Sequence, residues 1–141
     1  MIAYPDNSDI VTVAVLGAGN RGREAYGSYI CRHPGDIKAV AIAEPEQEKR
    51  RLFAGEHNIP VENCFESWED LLARERLADG IIIATLDTMH VGPAVEDIGK
   101  GYKILLEKPI APTLEGCLRI ARAARENKAD ILVAHVLRYT S

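Results

Sequence analysis

One glycine-rich stretch, Gly17-Ala18-Gly19-Asn20-Arg21-Gly22, constrains the fold of this chain more than any other part of its sequence. It follows an apolar run, Val11–Leu16, and precedes a segment with helical periodicity, so it predicts a strand, a tight turn and the start of a helix. Gly17 would let the chain turn sharply, Gly19 would let a pyrophosphate approach the backbone, and Gly22 would let the helix pack closely against its strand. The stretch predicts a dinucleotide-binding loop, with a purely structural turn as the alternative.

An acidic residue follows this loop at the distance that such a site requires. Glu44 ends the next apolar run, residues 37–43, roughly 20 residues beyond the loop, where a carboxylate that binds the ribose is expected. The phosphates would bind backbone N–H groups at the positive end of the helix, beside Asn20 and Arg21. We therefore expect the three glycines, Asn20, Arg21 and Glu44 to bind the cofactor.

The same glutamate predicts which nicotinamide dinucleotide is preferred. Glu44 would lie where the 2′-phosphate of NADP must bind, and two like charges about 4 Å apart repel by up to ~4 kcal/mol at an effective dielectric constant of about 20. NAD is therefore the expected cofactor, and NADP is less favourable. The run Lys49-Arg50-Arg51 is expected to be a solvated surface, with a contact to a phosphate as the alternative.

Composition excludes several other classes of protein. A chain of 141 residues has the length of one domain, and its net charge of −4 lacks the basic surface that nucleic acids require. No apolar run approaches the ~20 residues of a membrane span. Three widely spaced cysteines, Cys31, Cys64 and Cys117, fit reduced thiols better than disulfides or a zinc site. We expect a cytoplasmic protein without nucleic-acid, membrane or metal partners.

Strands and helices alternate along the chain, which is the pattern of a parallel sheet covered by helices on both faces. The run Ile81-Ile82-Ile83 has the composition of a strand buried on both sides. The pattern predicts an α/β fold with a doubly wound parallel sheet, the Rossmann fold, in strand order 3-2-1-4-5-6. Residues 1–9 are expected to form a loose arm, and residues 10–141 a single nucleotide-binding domain. The expected strands are residues 11–16, 37–43, 64–65, 81–84, 104–106 and 131–134.

Five helical segments separate these strands. Ser67 and Asp70 resemble a capping box at the start of the third helix, and Pro45 is expected to begin the second. The apolar residues of the first two helices are expected to face the sheet. The apolar residues that define the helices are Ala25, Tyr29 and Ile30 in the first, Leu52 and Ala54 in the second, Trp68, Leu71 and Leu72 in the third, Val91, Val95 and Ile98 in the fourth, and Leu114, Cys117, Leu118 and Ala121 in the fifth.

Ligands of doubly wound sheets bind just past the carboxyl ends of the strands. The polar or constrained residues at these places are Thr85, Asp87 and His90 after the fourth strand, and Glu107, Lys108 and Pro109 after the fifth. For Asp87 the alternative is a helix cap, and for His90 a surface position in the first helical turn. Lys108 could donate to a substrate hydroxyl or help it lose a proton, and its alternative is a solvated charge.

Four segments together resemble the glucose-fructose oxidoreductase / inositol dehydrogenase / rhizopine catabolism (Gfo/Idh/MocA) family. They are the glycine loop, Ala43-Glu44-Pro45, the D-x-x-H-x-x-x-A motif from Asp87 to Ala94, and Glu107-Lys108-Pro109-Ile110-Ala111. The last two motifs in this order are far more specific than a glycine loop. The ending His135-Val136-Leu137-Arg138-Tyr139 also resembles the segment that leaves the family's nucleotide domain, so the match spans nearly the whole chain.

The resemblance implies an NAD(P)-dependent oxidoreductase that acts on sugars, polyols or similar hydroxyl compounds. In such proteins the lysine matching Lys108 binds the reacting hydroxyl and assists proton transfer, so Lys108 is the expected catalytic residue. The glutamate matching Glu107 lies near the nicotinamide ribose, and the proline matching Pro109 is often in a cis peptide. With Thr85, Asp87 and His90, these residues complete the expected cofactor site.

Family members carry a second domain that forms the other wall of the substrate cleft and supplies a histidine and an acidic residue to catalysis. The sequence stops where that domain would begin, and His135 is not expected to replace its histidine. We therefore expect a nucleotide-binding domain, cut from a longer enzyme or encoded as a fragment, that binds NAD(H) without useful turnover. An apolar surface that the second domain would cover is expected to favour self-association.

Two other functions stay open from the sequence. A methyltransferase also has a glycine loop after its first strand, but that loop usually reads G-x-G-x-G, and nothing in such an enzyme requires Glu107-Lys108-Pro109. A non-catalytic NAD-binding module, acting as a sensor or partner subunit, is the stronger alternative, because a domain without its substrate wall could still bind the cofactor.

Overall fold

Six parallel strands form one sheet in the computed structural model, which describes residues 9–135. The strands are β1 (Val11–Leu16), β2 (Ile37–Ala43), β3 (Cys64–Phe65), β4 (Gly80–Ile83), β5 (Lys103–Glu107) and β6 (Ile131–Ala134). They lie in the order β3-β2-β1-β4-β5-β6, which confirms the predicted doubly wound α/β sheet. The order reverses between β1 and β4, so a crevice for a ligand opens at the carboxyl ends of these two strands.

The first helix begins as a π segment (Asn20–Gly27) and continues as α1 (Ser28–Arg32). The other helices are α2 (Gln47–His57), α3 (Trp68–Leu72), α4 (Val91–Gly99) and α5 (Leu114–Asn127). Ser67 caps α3 as predicted, because its hydroxyl accepts a hydrogen bond from the Asp70 N–H at 3.1 Å. Pro45 was predicted to begin α2, and this is wrong, because α2 begins at Gln47 with Glu46 as its N-cap.

Helices cover both faces of the sheet, and the alternating side chains of β4 show this directly. Ile82 is 5% exposed and packs in one apolar cluster with Ile30 of α1 and Phe53 of α2. Ile81 and Ile83 belong to a second cluster, which includes side chains of α3, α4 and α5. A strand covered on both faces requires apolar residues at every position, which explains the continuous β-branched run.

Two residues that were predicted to face the sheet are exposed instead. Tyr29 is 50% exposed and Leu52 is 37% exposed, and their neighbours Ile30 and Phe53 are the buried residues. The π segment has more residues per turn than an α-helix, so it shifts the buried face of the first helix away from Tyr29. In α2, the larger Phe53 side chain fills the space against the sheet. The predicted packing faces are therefore confirmed at Ile30 and Ala54 and wrong at Tyr29 and Leu52.

Helix α5 packs through Gly116 and Ile120 rather than through its leucines. Leu114 is 75% exposed and Leu118 is 44% exposed, whereas Ile120 is 4% exposed. A Cβ atom on Gly116 would lie 2.9 Å from the side chains of both Ala111 and Val91, so this glycine allows a close approach of the helix. The leucines consequently lie on the surface of the described domain.

An open apolar groove lies where the helices of the first half leave the sheet uncovered. This sheet groove has a volume of ≈ 440 Å³, and its lining includes Val11, Val13, Ile82, Leu105 and Leu132. Leu132 is 66% exposed and Val11 is 43% exposed. The sequence predicts an uncovered apolar surface, and whether this groove is that surface stays a prediction.

None of the helices between residues 9 and 135 combines the length and the apolar composition needed to cross a membrane. The predicted N-terminal arm, apart from Asp9, lies outside the described residues. The same holds for residues 136–139 of the family-like ending.

Candidate functional site

The glycine loop, residues 17–22, leaves one opening at the carboxyl end of β1. Gly17 has φ of +93°, a left-handed conformation, and a Cβ atom there would lie 2.7 Å from the Ala84 carbonyl oxygen. A Cβ on Gly22 would lie 1.9 Å from the Gly17 carbonyl oxygen. A Cβ on Gly19 would meet no heavy atom of the described residues within 4 Å. The loop is therefore closed at Gly17 and Gly22 and open at Gly19, where the pyrophosphate is predicted to approach.

This opening lies at the start of the π segment, for which Gly19 is the N-cap. Within residues 9–135, no side chain caps this helix end, and its first turn carries no acidic residue. The N–H groups of a helix start lack partners within the helix and carry a partial positive charge. Asn20 and Arg21 are both exposed at this end. The loop thus offers the backbone donors that a phosphate group requires.

The Glu44 carboxylate lies beside the loop and is only 7% exposed as a residue. Its Oε2 atom accepts a hydrogen bond from the Ala18 N–H at 2.8 Å, and its Oε1 atom accepts one from the Glu46 N–H at 3.0 Å. Glu44 therefore ties the end of β2 to the glycine loop. A carboxylate has about four lone-pair sites, so each oxygen retains capacity to accept from a ribose hydroxyl.

Two of the three residues in the basic run Lys49-Arg50-Arg51 of α2 form ion pairs with glutamates three residues earlier. Lys49 donates to Glu46 at 2.9 Å, and Arg51 donates to Glu48 at 2.8 Å, both on the exposed surface. Arg50 differs, because its guanidinium donates to the Glu44 carbonyl oxygen at 2.6 Å. Of the three basic residues, Arg50 is therefore the one that lies next to Glu44, and the alternative of a contact with a cofactor phosphate applies to Arg50.

The Glu107 carboxylate connects the glycine loop to the loop after β5. Glu107 is 5% exposed, and its Oε1 atom accepts hydrogen bonds from Arg21 Nε at 2.9 Å and from the Tyr26 hydroxyl. Its Oε2 atom accepts from the Lys108 backbone N–H at 3.1 Å. The Lys108-Pro109 peptide bond is cis, as the family resemblance implies, and the Lys108 residue is exposed.

Burial and hydrogen bonding change the pKa values of Tyr26 and Glu107 in different ways. Burial raises the pKa of Tyr26 to about 12, and its hydrogen bond to Glu107 adds to the effect. Burial also acts to raise the pKa of Glu107, but the hydrogen bonds from Tyr26 and Arg21 outweigh it and hold this pKa below its usual value. At neutral pH, Glu107 is a carboxylate and Tyr26 a neutral donor.

His90 lies beneath the site rather than on its surface. The residue is 1% exposed, with Nδ1 2.8 Å from the Pro109 carbonyl oxygen and Nε2 3.0 Å from the Thr85 carbonyl oxygen. The ring therefore bridges the loops that follow β4 and β5. Both ring nitrogens lie at hydrogen-bond distance from backbone carbonyl oxygens, so His90 joins the two loops, and its predicted contact with the cofactor stays a prediction.

Thr85 and Asp87 differ in what they offer to a ligand. The Thr85 hydroxyl is buried and forms no hydrogen bond within the part of the chain that the structure describes. Asp87 is exposed and begins a short 3₁₀ turn (Asp87–Met89), for which Leu86 is the N-cap. Its Oδ1 atom accepts from the Thr88 N–H at 2.9 Å, a local contact that does not cap a helix. The Thr85 hydroxyl is thus a buried polar group without a partner in the described residues, whereas the Asp87 side chain is exposed.

The carboxyl edge of the sheet brings most of the predicted site residues together. The glycine loop lies at its centre, with Glu44 on the β2 side and the Glu107-Lys108-Pro109 loop on the β5 side. Sequence reasoning missed Tyr26, which binds Glu107 from the π segment. Tyr26 follows Arg21 by five residues, and in an α-helix such a spacing separates two side chains by about 140°. No helical pattern could therefore have paired them.

The chain is similar in sequence to several known proteins. A sequence model of the GFO_IDH_MocA oxidoreductase family, an NAD-binding Rossmann fold, matches residues 11–135. An inositol 2-dehydrogenase of Corynebacterium glutamicum is 31% identical over 133 residues, which are 94% of this chain and 38% of that enzyme. A 2,7-anhydro-N-acetylneuraminate hydratase of Mediterraneibacter gnavus is 26% identical over 129 residues, which are 92% of this chain and 32% of the hydratase.

A solved structure shows the same fold. The WlbA dehydrogenase from Bordetella pertussis, in complex with NADH and UDP-GlcNAcA, matches with a TM-score of 0.83 at 23% identity, over 94% of this chain and 39% of WlbA. The chain thus spans about a third of the length of the relatives it matches. Since the family match covers nearly every residue that the structure describes, the protein belongs to the GFO_IDH_MocA oxidoreductase family, with the NAD-binding Rossmann domain of that family.

Proposed function

We propose that this chain is the cofactor-binding part of an enzyme that transfers a hydride between NAD and a hydroxyl-bearing substrate. The observation that carries the proposal is the open position at Gly19, with Glu44 on one side of it and Lys108 on the other. Along one edge of the sheet, this arrangement offers an anion site, an acceptor for ribose hydroxyls and an ammonium donor.

The residues on the glycine-loop side would bind the cofactor. The N–H groups near Asn20 and Arg21 would bind the pyrophosphate, and Glu44 would accept hydrogen bonds from the adenosine ribose. The buried hydroxyl of Thr85 supplies a further polar group, and Asp87 would contact the cofactor at the rim of the crevice. Bound NAD would supply the hydride acceptor.

The residues on the β5 side would serve the reaction. Lys108 is exposed at the edge of the crevice and would donate to the substrate hydroxyl and assist the loss of its proton. Glu107 would lie near the nicotinamide ribose and hold the Lys108 backbone, and Pro109 and His90 would support the same loop. We assign the catalytic role to Lys108 alone.

NAD should bind more tightly than NADP, because Glu44 would repel the 2′-phosphate. Titration of NADH and NADPH by fluorescence tests this, and Glu44→Gln should narrow the difference. Arg50 lies next to Glu44, where its positive charge would partly offset the repulsion of the 2′-phosphate. Arg50→Met should therefore increase the difference in affinity between NADH and NADPH. Equal affinity of the unmodified chain for both cofactors would contradict the assignment of Glu44.

The substrate class follows from the family and the relatives. The relatives include an inositol 2-dehydrogenase and a 2,7-anhydro-N-acetylneuraminate hydratase, so we propose a sugar, polyol or similar hydroxyl compound. The chain itself should bind NAD(H) without useful turnover, because fixed positioning of reactants accounts for about 7–11 kcal/mol of such barriers and only one wall of a cleft is described here. Lys108 alone leaves the substrate without an opposing contact.

An absorbance assay at the reduced-nicotinamide band, with a panel of polyols and sugars, tests this division of labour. We expect NADH binding without turnover by the 141-residue chain, and turnover by a version extended beyond residue 141 that Lys108→Met abolishes. A version that binds NADH but never turns over any substrate would favour the alternative, a non-catalytic NAD-binding sensor or partner module. Turnover by the 141-residue chain that Lys108→Met abolishes would contradict the proposal.

We also propose a location and an assembly state. Cys31, Cys64 and Cys117 all lie within the described residues and none forms a disulfide there, which suits the reducing cytoplasm. The sheet groove is lined by apolar side chains, of which Val11 and Leu132 are exposed, so the chain should self-associate at high concentration. Sedimentation would test this, and Leu132→Lys should shift any dimer toward monomer. A strict monomer at high concentration would contradict it.

A further inference from the structure

We propose that Arg21, Tyr26 and Glu107 form a coupling cluster, through which a ligand at the glycine loop changes the reactivity of Lys108. This inference rests on the proposed cofactor site and adds a route by which its two sides communicate. Tyr26 is the positioning residue in this cluster, because it acts on Lys108 only through Glu107.

One carboxylate makes all the connections of the cluster. Oε1 of Glu107 accepts from Arg21 Nε and from the Tyr26 hydroxyl, both on the helix that starts at the glycine loop. Oε2 of the same group accepts from the backbone N–H of Lys108. Because the two oxygens belong to one rigid planar group, a shift of Arg21 or Tyr26 turns the carboxylate and changes the hydrogen bond to Lys108.

The π segment makes this cluster possible. Arg21 and Tyr26 lie five residues apart, which is about one turn of a π-helix, so both reach the same acceptor. The Arg21 guanidinium carbon also lies 5.5 Å from the centre of the Tyr26 ring, within the range of a cation–π contact. Gly22 allows this geometry by bringing the helix start against the Gly17 carbonyl oxygen.

The position of Arg21 links the cluster to a ligand. The Arg21 side chain is 44% exposed although it pairs with a Glu107 side chain that is 6% exposed. Its guanidinium presents donors on several edges, so it can bind Glu107 on one edge and a phosphate at the loop on another. A pyrophosphate held in this way would fix Arg21, and through Glu107 it would restrict the Lys108 loop.

Chemical labelling of Lys108 tests the inference. ADP carries the pyrophosphate but neither the second ribose nor the nicotinamide, so it occupies the glycine loop without extending along the crevice. The rate of Lys108 acetylation by N-hydroxysuccinimidyl acetate is measured by peptide mass spectrometry with and without saturating ADP. We expect ADP to slow this labelling about fivefold, the lower range of coupling between sites, and to leave Lys38 and Lys128 unaffected.

The variant that isolates the cluster is Tyr26→Phe, which keeps the ring and removes only the donor to Glu107. ADP should still bind it, measured by calorimetry, but should no longer slow the labelling of Lys108. Tyr29→Phe is the matched control, since it makes the same change at an exposed tyrosine of the same helix, and it should behave as the wild type. The two variants carry the same charge near Lys108, so a direct effect of the phosphates cancels between them.

The outcomes separate this inference from the proposed function. If ADP binds but leaves Lys108 labelling unchanged in the wild type, or slows it equally in Tyr26→Phe, the cluster does not couple the two sides and the cofactor site stands. If neither ADP nor NADH binds the wild type, the cofactor site itself is wrong and the inference falls with it. If circular dichroism shows that Tyr26→Phe does not fold, Glu107→Gln replaces it, because this change weakens the acceptor of the same hydrogen bond. The effect of ADP on Lys108 labelling is then compared within that variant.

Discussion

Two buried carboxyl groups of this domain have opposite surroundings. Glu107 is 5% exposed at the end of β5, where it accepts hydrogen bonds from Arg21, Tyr26 and the Lys108 N–H. Asp97 of α4 is 0% exposed, and neither of its carboxyl oxygens has a partner among residues 9–135. The pKa of Glu107 lies below its usual value, whereas burial, aided by Glu96, raises the pKa of Asp97 to about 8.

The contrast shows that burial alone does not decide the charge of a carboxyl group. Both groups lose solvation, which favours the neutral form, but only Glu107 gains donors that favour the charged form. The crevice therefore contains a carboxylate at neutral pH, while the packing of α4 contains a protonated acid. The charged Glu107 carboxylate accepts hydrogen bonds from Arg21 and from the Lys108 N–H. The buried Asp97 mainly destabilises the fold, and this destabilisation grows as pH rises.

Asp97→Asn should produce the largest change in stability. Asp97 keeps its proton up to about pH 8 in the folded state but loses it near roughly pH 4 in the unfolded chain. Between these values the unfolded state binds fewer protons, so wild-type stability should fall as pH rises and level off above about pH 8. By pH 9 the free energy of unfolding of the variant should have risen relative to that of the wild type by on the order of 5 kcal/mol at most. Urea unfolding at several pH values measures this difference.

The control for this prediction is Glu126→Gln, which removes an exposed carboxylate from α5, away from Asp97. It should leave the pH dependence of unfolding close to that of the wild type. If the wild type and Asp97→Asn had parallel stability curves between pH 5 and pH 9, Asp97 would not be a buried neutral acid.

Glu107→Gln should have an effect of the opposite sign and of intermediate size. The pKa of Glu107 is lowered in the folded state, so its contribution to stability is present above the unfolded value of about 4.3 and is lost as pH falls. The amide keeps the shape but weakens the charge-assisted bonds from Arg21 and Tyr26, which costs about 2 kcal/mol at pH 7. The loss in free energy of unfolding, measured with urea, should shrink toward pH 3. A loss that stays constant with pH would show that Glu107 is not stabilising as a charged carboxylate.

Tyr26→Phe should have the smallest effect, about 1 kcal/mol at pH 7, because it removes one of three donors to Glu107. With fewer donors, the pKa of Glu107 should move up toward the value that burial alone favours. Thermal unfolding across pH 3–7 measures both effects. Tyr29→Phe, at a residue 50% exposed, should change neither, and an equal loss in the two variants would show that the Tyr26 hydroxyl is not bound to Glu107.

The sheet was predictable because each of its strands carries its own signal. The run Ile81-Ile82-Ile83 is apolar at every position, and a glycine loop between an apolar run and a helix fits only a few structures. Short connections and right-handed crossovers then leave few strand orders. The strand order and the cis peptide at Pro109 are confirmed, while the roles of Glu44, Lys108 and the other site residues remain predictions.

The helix faces and the supporting contacts were less predictable. The sequence contains both Leu52 and Phe53, and only the space above the sheet selects Phe53. The spacing of Tyr26 from Arg21 gives no helical signal, because it becomes a contact only in a π segment. His90 carries a motif that resembles a ligand-binding position, but packing turns its ring toward two backbone carbonyls.

By itself, the sequence determined the alternation of strands and helices, the position of the glycine loop and the residues past each strand, because these depend on local sterics and on apolar periodicity. Only the tertiary structure decided which of two neighbouring apolar residues is buried, that Glu107 joins the glycine loop to Lys108, and that Asp97 is buried without a partner. The physical reason is that hydrogen bonding and solvation depend on groups brought together from distant parts of the chain. Arg21 and Glu107 are 86 residues apart in sequence, yet Arg21 Nε lies 2.9 Å from Glu107 Oε1.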